Sequence, residues 1–596
     1  MNSMKKETLS ASTRFAAGKR LLIVGGGPRT IGILERIGAN ADLLRGEDLE
    51  IVIFDPWGPG AGRIWRSQQP QNLLMNSQAK DVTCYTDASV RCDGPISPGP
   101  SLEEWVYGIQ RGERDIPEQC LEEEVSTFTG DSFASRKLFS YYLKDFFNGT
   151  RERLPGNVRV HLLEEEVVSL RGATVTLRSG EELDADAVLL SLGHADSLPQ
   201  GEVSARADHA HRHGLTYFAP AQSHELNLDD IQPGQTVISN GMGLAFIDIC
   251  SRLTEGRGGA FTDEGYVRSG REPIIWVGSR RGVPYHSKVT TTVSGSWEPT
   301  LNFMDQNFWE NLPGRIDFDR DLWPSIVKEC EYSWNREVMA NNGARPHRSP
   351  LEGGTDGIHV PEDRKLDFRS LDRPLAEGAS EEDIVAYIED DIAHRTSQEF
   401  SESKTLFDTM VMINAELVRN VSISRLGGGA SKWKSLFNFV CSGPPPHRLK
   451  QLLQLHRAGI VRFLGPQTRV ELGPADFIAS SSSRTRFVHA DALIEAYLPR
   501  PTLQNTANEL MRNLMHQGGI RESATQPGFI DIDAGFHVVD AGGSVRHNLW
   551  AVGPATAEIP AGAFARPGTD AAAFRRNDSL ARDILQEIAA PARGAA

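Results

Sequence analysis

The stretch KRLLIVGGGPRTIGILERIGA, Lys19 to Ala39, constrains the fold of this chain more than any other. Leu21 to Val24 form a short apolar run of buried-strand type, Gly25 to Gly27 a turn, and Ile31, Leu34 and Ile37 then recur at helical spacing. A strand that turns through glycines into a helix lets backbone approach a phosphate closely. The helix then offers free N–H groups and the positive end of its dipole to the anion. The usual pattern is G-x-G-x-x-G; here Thr30 stands at the third glycine position and Gly32 follows two residues later. A second apolar run, LEIVIFDP from Leu49 to Pro56, ends in Asp55, somewhat beyond the usual interval of about 20 residues. A carboxylate there accepts the ribose hydroxyls of an adenosine, or it starts a turn before Pro56. Strand, turn, helix, strand and acid in this order predict a nucleotide site.

The pattern recurs beyond residue 230. GQTVISNGMGLAFIDICSRLTEGRGGAF gives a strand (Thr236 to Ser239), a turn (Gly241, Gly243) and a helix (Leu244 to Leu253), with Phe246 where a third glycine would stand. The next strand, PIIWVGSRRG, ends in Arg280 and Arg281. An acid at that position suits a bare 2′-hydroxyl, whereas arginine suits a 2′-phosphate. The pair therefore favours NADPH over NADH, with a solvated basic turn as the alternative.

Two dinucleotide units, the second entering after the first is interrupted, predict an α/β two-dinucleotide-binding flavoprotein. It has an interrupted Rossmann-like FAD domain, an inserted NAD(P)H domain and a helical insertion. Between the units LDADAVLLSLGHAD, with Gly193, His194 and Asp196 after an apolar strand, resembles the connector that crosses between the domains of such flavoproteins. The FAD part resumes at NLWAVGPATAEIPAGAFARPGTD, where a strand meets Gly553; the acid usual after that glycine is replaced by Pro554. The expected divisions are a disordered leader 1–18, FAD domain 19–230, NAD(P)H domain 231–295, helical or irregular insertion 296–440, NAD(P)H remainder 441–500 and FAD remainder 501–596.

Composition narrows the partners. A net charge of -16 over 596 residues argues against nucleic acid. No apolar run approaches the roughly 18 residues that span a bilayer. The N-terminal segment has lysines without an apolar core after them, which reads as a cytoplasmic leader. Six cysteines without C-x-x-C spacing predict reduced thiols, with neither a metal site nor a redox pair.

The stretches IVGGGPRTIGILERI, GRIWRSQQPQNLLMNSQAKDVTCYTD, SRKLFSYYL, GMGLAFIDICSRLTEGRGGAF, HRAGIVRFLGP, ADALIEAYLPRP and FARPGTDAAAFRRND together resemble the FAD/NAD(P)-binding proteins that include nitrosuccinate synthases. That resemblance covers nearly the whole chain. It implies FAD and NADPH as cofactors and stepwise oxygenation of a small amino acid's amine in specialised metabolism, with L-aspartate first in line and O2 as co-substrate. A homodimer stays open. The alternative is a flavin reductase that passes electrons to a quinone or protein.

By motif, the cofactor positions implied are Gly25, Gly27, Pro28, Arg29, Asp55, Gly62, Gly193 and Gly553. To these are added Trp65 near the flavin ring, Asn76 at its polar edge and the Val167 backbone near the adenine. Gly241, Gly243, Arg280 and Arg281 take the second nucleotide. Arg136 opens a helix, either facing inward or as a surface arginine. A dicarboxylic substrate needs a cationic clamp. By residue type and region its candidates are Arg281, Arg425, Lys432 and Arg566, with Tyr285 and His286 as polar helpers. The catalytic residues are not legible in the sequence.

Overall fold

The computed structural model describes residues 18–290, 300–341, 360–373, 375–399, 401–421, 425–426, 429–483, 487–558 and 562–590. The leader expected over 1–18 lies, apart from Gly18, outside the described residues.

Two sheets organise the chain. The first runs in the order His537–Val539, Val545–Ala551, Ala187–Leu190, Lys19–Val24, Leu49–Phe54, Val158–Leu163. All pairings are parallel except that of the edge strand His537–Val539. Both faces of its central strands are covered: every residue of Leu49–Phe54 is buried, Glu50 included. The second sheet is wholly parallel, in the order Val461–Gly465, Ile274–Gly278, Thr236–Asn240, Ala492–Glu495, Thr216–Phe218. In each sheet the strand before a glycine turn is central, with later strands added on both sides. That reversal of strand order opens a crevice at the strand's C-terminal end.

Strand Val545–Ala551 pairs with Ala187–Leu190 from the other end of the chain, so the first unit is interrupted. The division expected at residue 230 shifts, because Thr216–Phe218 already belongs to the second sheet. A three-residue edge strand carries too little periodicity to be read from sequence. The insertion does not fold apart. Phe318, Ile326, Met410, Ile413 and Leu436 share one buried core with Ile275, Val277, Val461 and Phe463 of the second sheet.

The units dock through polar contacts. Arg136, at the start of helix Arg136–Glu152, donates to Asp248 at 2.7 Å, so it faces inward and ties the first unit to helix Leu244–Leu253. Asn72 donates to the Ser251 carbonyl at 3.0 Å, and Arg448 to the Asn72 carbonyl at 2.6 Å. All six cysteines are unpaired. No helix among the described residues is long and apolar enough to cross a membrane.

Candidate functional site

The first glycine turn divides its labour. Gly25 has φ +105°, and a Cβ there would lie 2.0 Å from the Ser191 carbonyl oxygen, so this glycine lets two strand ends close on each other. Around a Cβ at Gly27 there is no atom within 4 Å. Gly27 is also the N-cap of helix Pro28–Ala39 and gives it no side-chain cap, so the first-turn N–H groups face the crevice. Helix Arg136–Glu152, by contrast, is closed by Ser135. The missing third glycine has an explanation: the Thr30 hydroxyl donates to the Gly25 carbonyl at 2.6 Å and fastens the turn from beneath. Close helix approach falls to Gly32, where a Cβ would meet Asn577 Nδ2 at 2.6 Å.

Asp55 accepts from the Gly26 N–H at 2.7 Å and the Trp57 N–H at 2.8 Å. Burial pushes its carboxyl above the ordinary range against those two bonds. It therefore does start the turn before Pro56. Gly62, φ +57°, brings its loop over Gly27, where a Cβ would stand 3.0 Å from Gly27 Cα.

Around the crevice are donors and acceptors that no described residue satisfies. Gly193 (φ +66°) and Gly553 (φ +96°) both face open space. The acid missing after Gly553 is supplied five residues later, since Glu558 Oε1 accepts from the Gly553 N–H at 3.0 Å and stands 3.8 Å from Arg29 Nη1. Among the described residues, Glu558 Oε2 and Arg29 Nε and Nη2 are buried without a hydrogen-bond partner. An uncapped helix N-terminus, three open glycines and a buried, half-satisfied Arg29 fit a dinucleotide pyrophosphate. Glu558 was not legible because its role depends on the chain turning back after Pro554.

Trp65 packs edge-on against Phe139 at 4.8 Å and Phe564 at 5.9 Å. Asn76 donates to the Ser442 carbonyl at 3.3 Å, across the junction with the second unit. Val167 opens a small antiparallel sheet opposite Leu177, its side chain buried.

The second turn repeats the first. Gly241, φ +125°, lies where a Cβ would stand 2.7 Å from the Ala496 carbonyl oxygen, and Gly243 is the N-cap of Leu244–Leu253 without a side-chain cap. Tyr285 covers this turn, its Cζ 3.5 Å from a Cβ at Gly243, so its ring faces the second nucleotide crevice. Arg280 and Arg281 both pair with Asp372 of the insertion. Arg281 turns inward, over Phe439 at 4.3 Å and within 3.2 Å of Ser435, whereas Arg280 stays 57% exposed. The two arginines are thus not equivalent.

The clamp candidates do not converge. Arg425 donates to the carbonyls of Leu312, Pro313 and Gly314, latching two loops of the insertion together. Lys432 lies over Trp323 at 4.0 Å, with Asp319 at 3.9 Å. His286 is fully engaged, Nδ1 with Asp391 at 2.7 Å and Nε2 with the Tyr387 hydroxyl at 3.0 Å, so it braces its loop and has no ring nitrogen to spare. Arg566 pairs with both oxygens of Asp81 at 2.9 and 3.0 Å, on the first unit's side of the junction.

A family model described as FAD-NAD(P)-binding matches residues 22–195. The L-aspartate N-monooxygenase (nitrosuccinate-forming) of Streptomyces davaonensis is 32% identical over an alignment of 642 positions, gaps included, covering 95% of this chain and 97% of that protein. The nitrosuccinic acid synthase of Aspergillus oryzae is 30% identical, covering 97% of this chain and 95% of its own. Among solved structures, ornithine hydroxylase from Pseudomonas aeruginosa aligns with a TM-score of 0.43 at 12% identity over 96% of this chain and 99% of that one. Identity of this extent along both chains settles kinship, and the protein belongs to the family of flavin-dependent L-aspartate N-monooxygenases that form nitrosuccinate.

Proposed function

We propose that this chain oxidises the amine of L-aspartate stepwise to nitrosuccinate, using FAD, NADPH and O2. The observation that carries the reading is 30–32% identity, along nearly the full length, to enzymes bearing that name. In each of three rounds one oxygen atom moves onto nitrogen, the other leaves as water and NADPH supplies two electrons; the doubly hydroxylated nitrogen of the second round loses one further water, so the third round ends at the nitro group. FAD, when bound, supplies the redox chemistry with the nicotinamide and O2.

The chain's own residues bind and orient. Gly25, Gly27, Pro28, Gly62, Gly193 and Gly553 form the cradle for FAD, with Arg29 on the pyrophosphate and Glu558 holding Arg29 and the Gly553 turn. Asp55, fastened to Gly26, presents its remaining lone pairs to the ribose, and the Val167 backbone lies toward the adenine. Trp65 and Asn76 edge the flavin ring. Gly241 and Gly243 receive NADPH beneath Tyr285.

Arg280, exposed at the strand end, meets the 2′-phosphate. Arg280→Ala is therefore expected to raise the KM for NADPH about 10–100-fold while leaving that for NADH near its starting value. Arg281→Ala should instead lower the thermal midpoint, because it leaves Asp372 and Ser435 without their inward partner. Equal kinetic effects of the two substitutions would assign both arginines to the nucleotide. The function itself is tested by incubating the FAD-loaded protein with NADPH, air and L-aspartate, with mass detection of oxygenated products.

A further inference from the structure

The loop that follows Asp55 carries a charged device of its own. Gly60 donates its N–H to the Gly26 carbonyl at 2.8 Å, and Gly62 closes over Gly27, so residues 60–65 cover the first cradle. Arg63 reaches from this cover toward the second unit. Its Nε and Nη2 donate to the two oxygens of Glu225 at 2.9 and 2.5 Å, and Nη2 also donates to Asp196 Oδ2 at 2.8 Å. Arg66 donates to the same Glu225 at 2.9 Å while lying over the Trp57 ring at 4.2 Å.

Glu225 belongs to the second unit and is itself held there. It lies between strands Thr216–Phe218 and Thr236–Asn240 of the second sheet. Arg252 fixes its neighbours, donating to the Ser223 carbonyl at 2.5 Å and the Leu226 carbonyl at 2.8 Å. Arg252 stands in the last turn of Leu244–Leu253, the helix whose N-cap is Gly243. A continuous run of polar contacts therefore joins the helix of the second glycine turn to the loop over the first. Asp196, three residues past the connector glycine Gly193, makes Arg63 the meeting point of cover, connector and second unit.

Apolar packing does not fix this join. A cavity of about 490 Å³ lies here, lined by Trp57, Arg63, Arg66, Gln68, His224 and Glu225. Where side chains do not interdigitate, separation and angle are set by the paired N–H···O bonds between guanidinium and carboxylate. Arg63 and Glu225 are only 22% and 20% exposed, so salt screens the pair little. Loss of Arg63 strands no charge, because Glu225 keeps Arg66 and Asp196 is 44% exposed. It thus differs from Arg136, whose partner Asp248 is buried. Removing Arg63 costs alignment and leaves stability nearly intact.

We infer that Arg63 is a positioning residue for the reduction of FAD by NADPH: acting through Glu225, it sets the alignment of the two nucleotide units. In that reduction a hydride leaves the nicotinamide for the flavin with both electrons, and NADP+ remains. Such a transfer depends steeply on geometry, and a misplacement of about 1 Å costs on the order of 100-fold in rate. The inference rests on the cofactor pair of the function proposed above and not on its substrate.

The test is anaerobic flavin reduction by NADPH, followed by stopped-flow absorbance. In FAD-loaded Arg63→Met the limiting rate at saturating NADPH should fall about 10–100-fold. Flavin content, the Kd for NADPH and the thermal midpoint should hold. The same protein reduced with dithionite should be reoxidised by O2 at the wild-type rate, because that route bypasses the alignment of the units. Arg63→Lys keeps the charge without the two-pronged geometry and should lose about 5–20-fold, and it covers the case in which Met disturbs folding. Adding Glu225→Gln to Arg63→Met should cost little more, since both act through one contact. A limiting rate within about threefold of wild type in both Arg63 variants would overturn the inference. So would a loss matched by weaker NADPH binding or a lower thermal midpoint. Arg63-dependent reduction by NADPH in a protein that leaves L-aspartate unoxidised would uphold the inference and count against the proposed function instead.

Discussion

Gly25→Val protein should fail to reach a stable fold, whereas Gly27→Val protein should fold and fail to hold FAD. The two glycines stand two residues apart in one turn and would be treated alike by a motif. Their surroundings are opposite. At Gly25 a Cβ collides with the Ser191 backbone at 2.0 Å, and the φ of +105° is strained for any side chain. Strain and overpacking together cost about 2–6 kcal/mol, comparable with a domain's whole stability. At Gly27 the backbone is extended, with φ −76° and ψ −175°, and the space around it is open, so a valine costs the apo fold little. That open space is where the pyrophosphate would approach, so the valine falls on FAD binding. Thermal midpoints of the two apo proteins and FAD titrations separate the cases. Matching losses in both would mean that the turn is only a structural joint.

The second large effect concerns the junction between the units. Arg136→Met leaves Asp248 buried, with the Ser223 hydroxyl as its remaining partner. Removing one partner of a buried ion pair costs about 3–5 kcal/mol, mostly from the stranded charge. Asp248→Asn in the same protein should recover much of that loss, because the carboxamide needs no counter-ion. Chemical denaturation of the single and double variants reads the difference. If Arg136→Met is neutral, the pair is ornamental and the docking of the units rests on the contacts of Asn72 and Arg448.

What could be read in the sequence was what depends on neighbours along the chain. Leu21 to Gly27 and Thr236 to Gly243 announce strand, turn and helix through local spacing, and both occupy central strands as that pattern demands. What could not be read depends on residues that meet only in the fold. Thr30 resembles a broken motif until its hydroxyl is seen on the Gly25 carbonyl. Glu558 has no distance from Gly553 that a motif would flag. Arg425 and Lys432 have the right chemistry for a clamp, but main-chain carbonyls hold one and Trp323 with Asp319 the other.

The central claim is that electrons from NADPH reduce O2, one of whose oxygen atoms ends on the nitrogen of an amino acid while the other leaves as water. One measurement tests it most directly: the FAD-loaded protein is supplied with NADPH, L-aspartate and ¹⁸O2, and the products are weighed by mass spectrometry. The account predicts nitrosuccinate carrying label on nitrogen, with NADPH consumption that depends on L-aspartate. Unlabelled, unchanged L-aspartate alongside rapid reduction of an added quinone would contradict it and make the protein a flavin reductase.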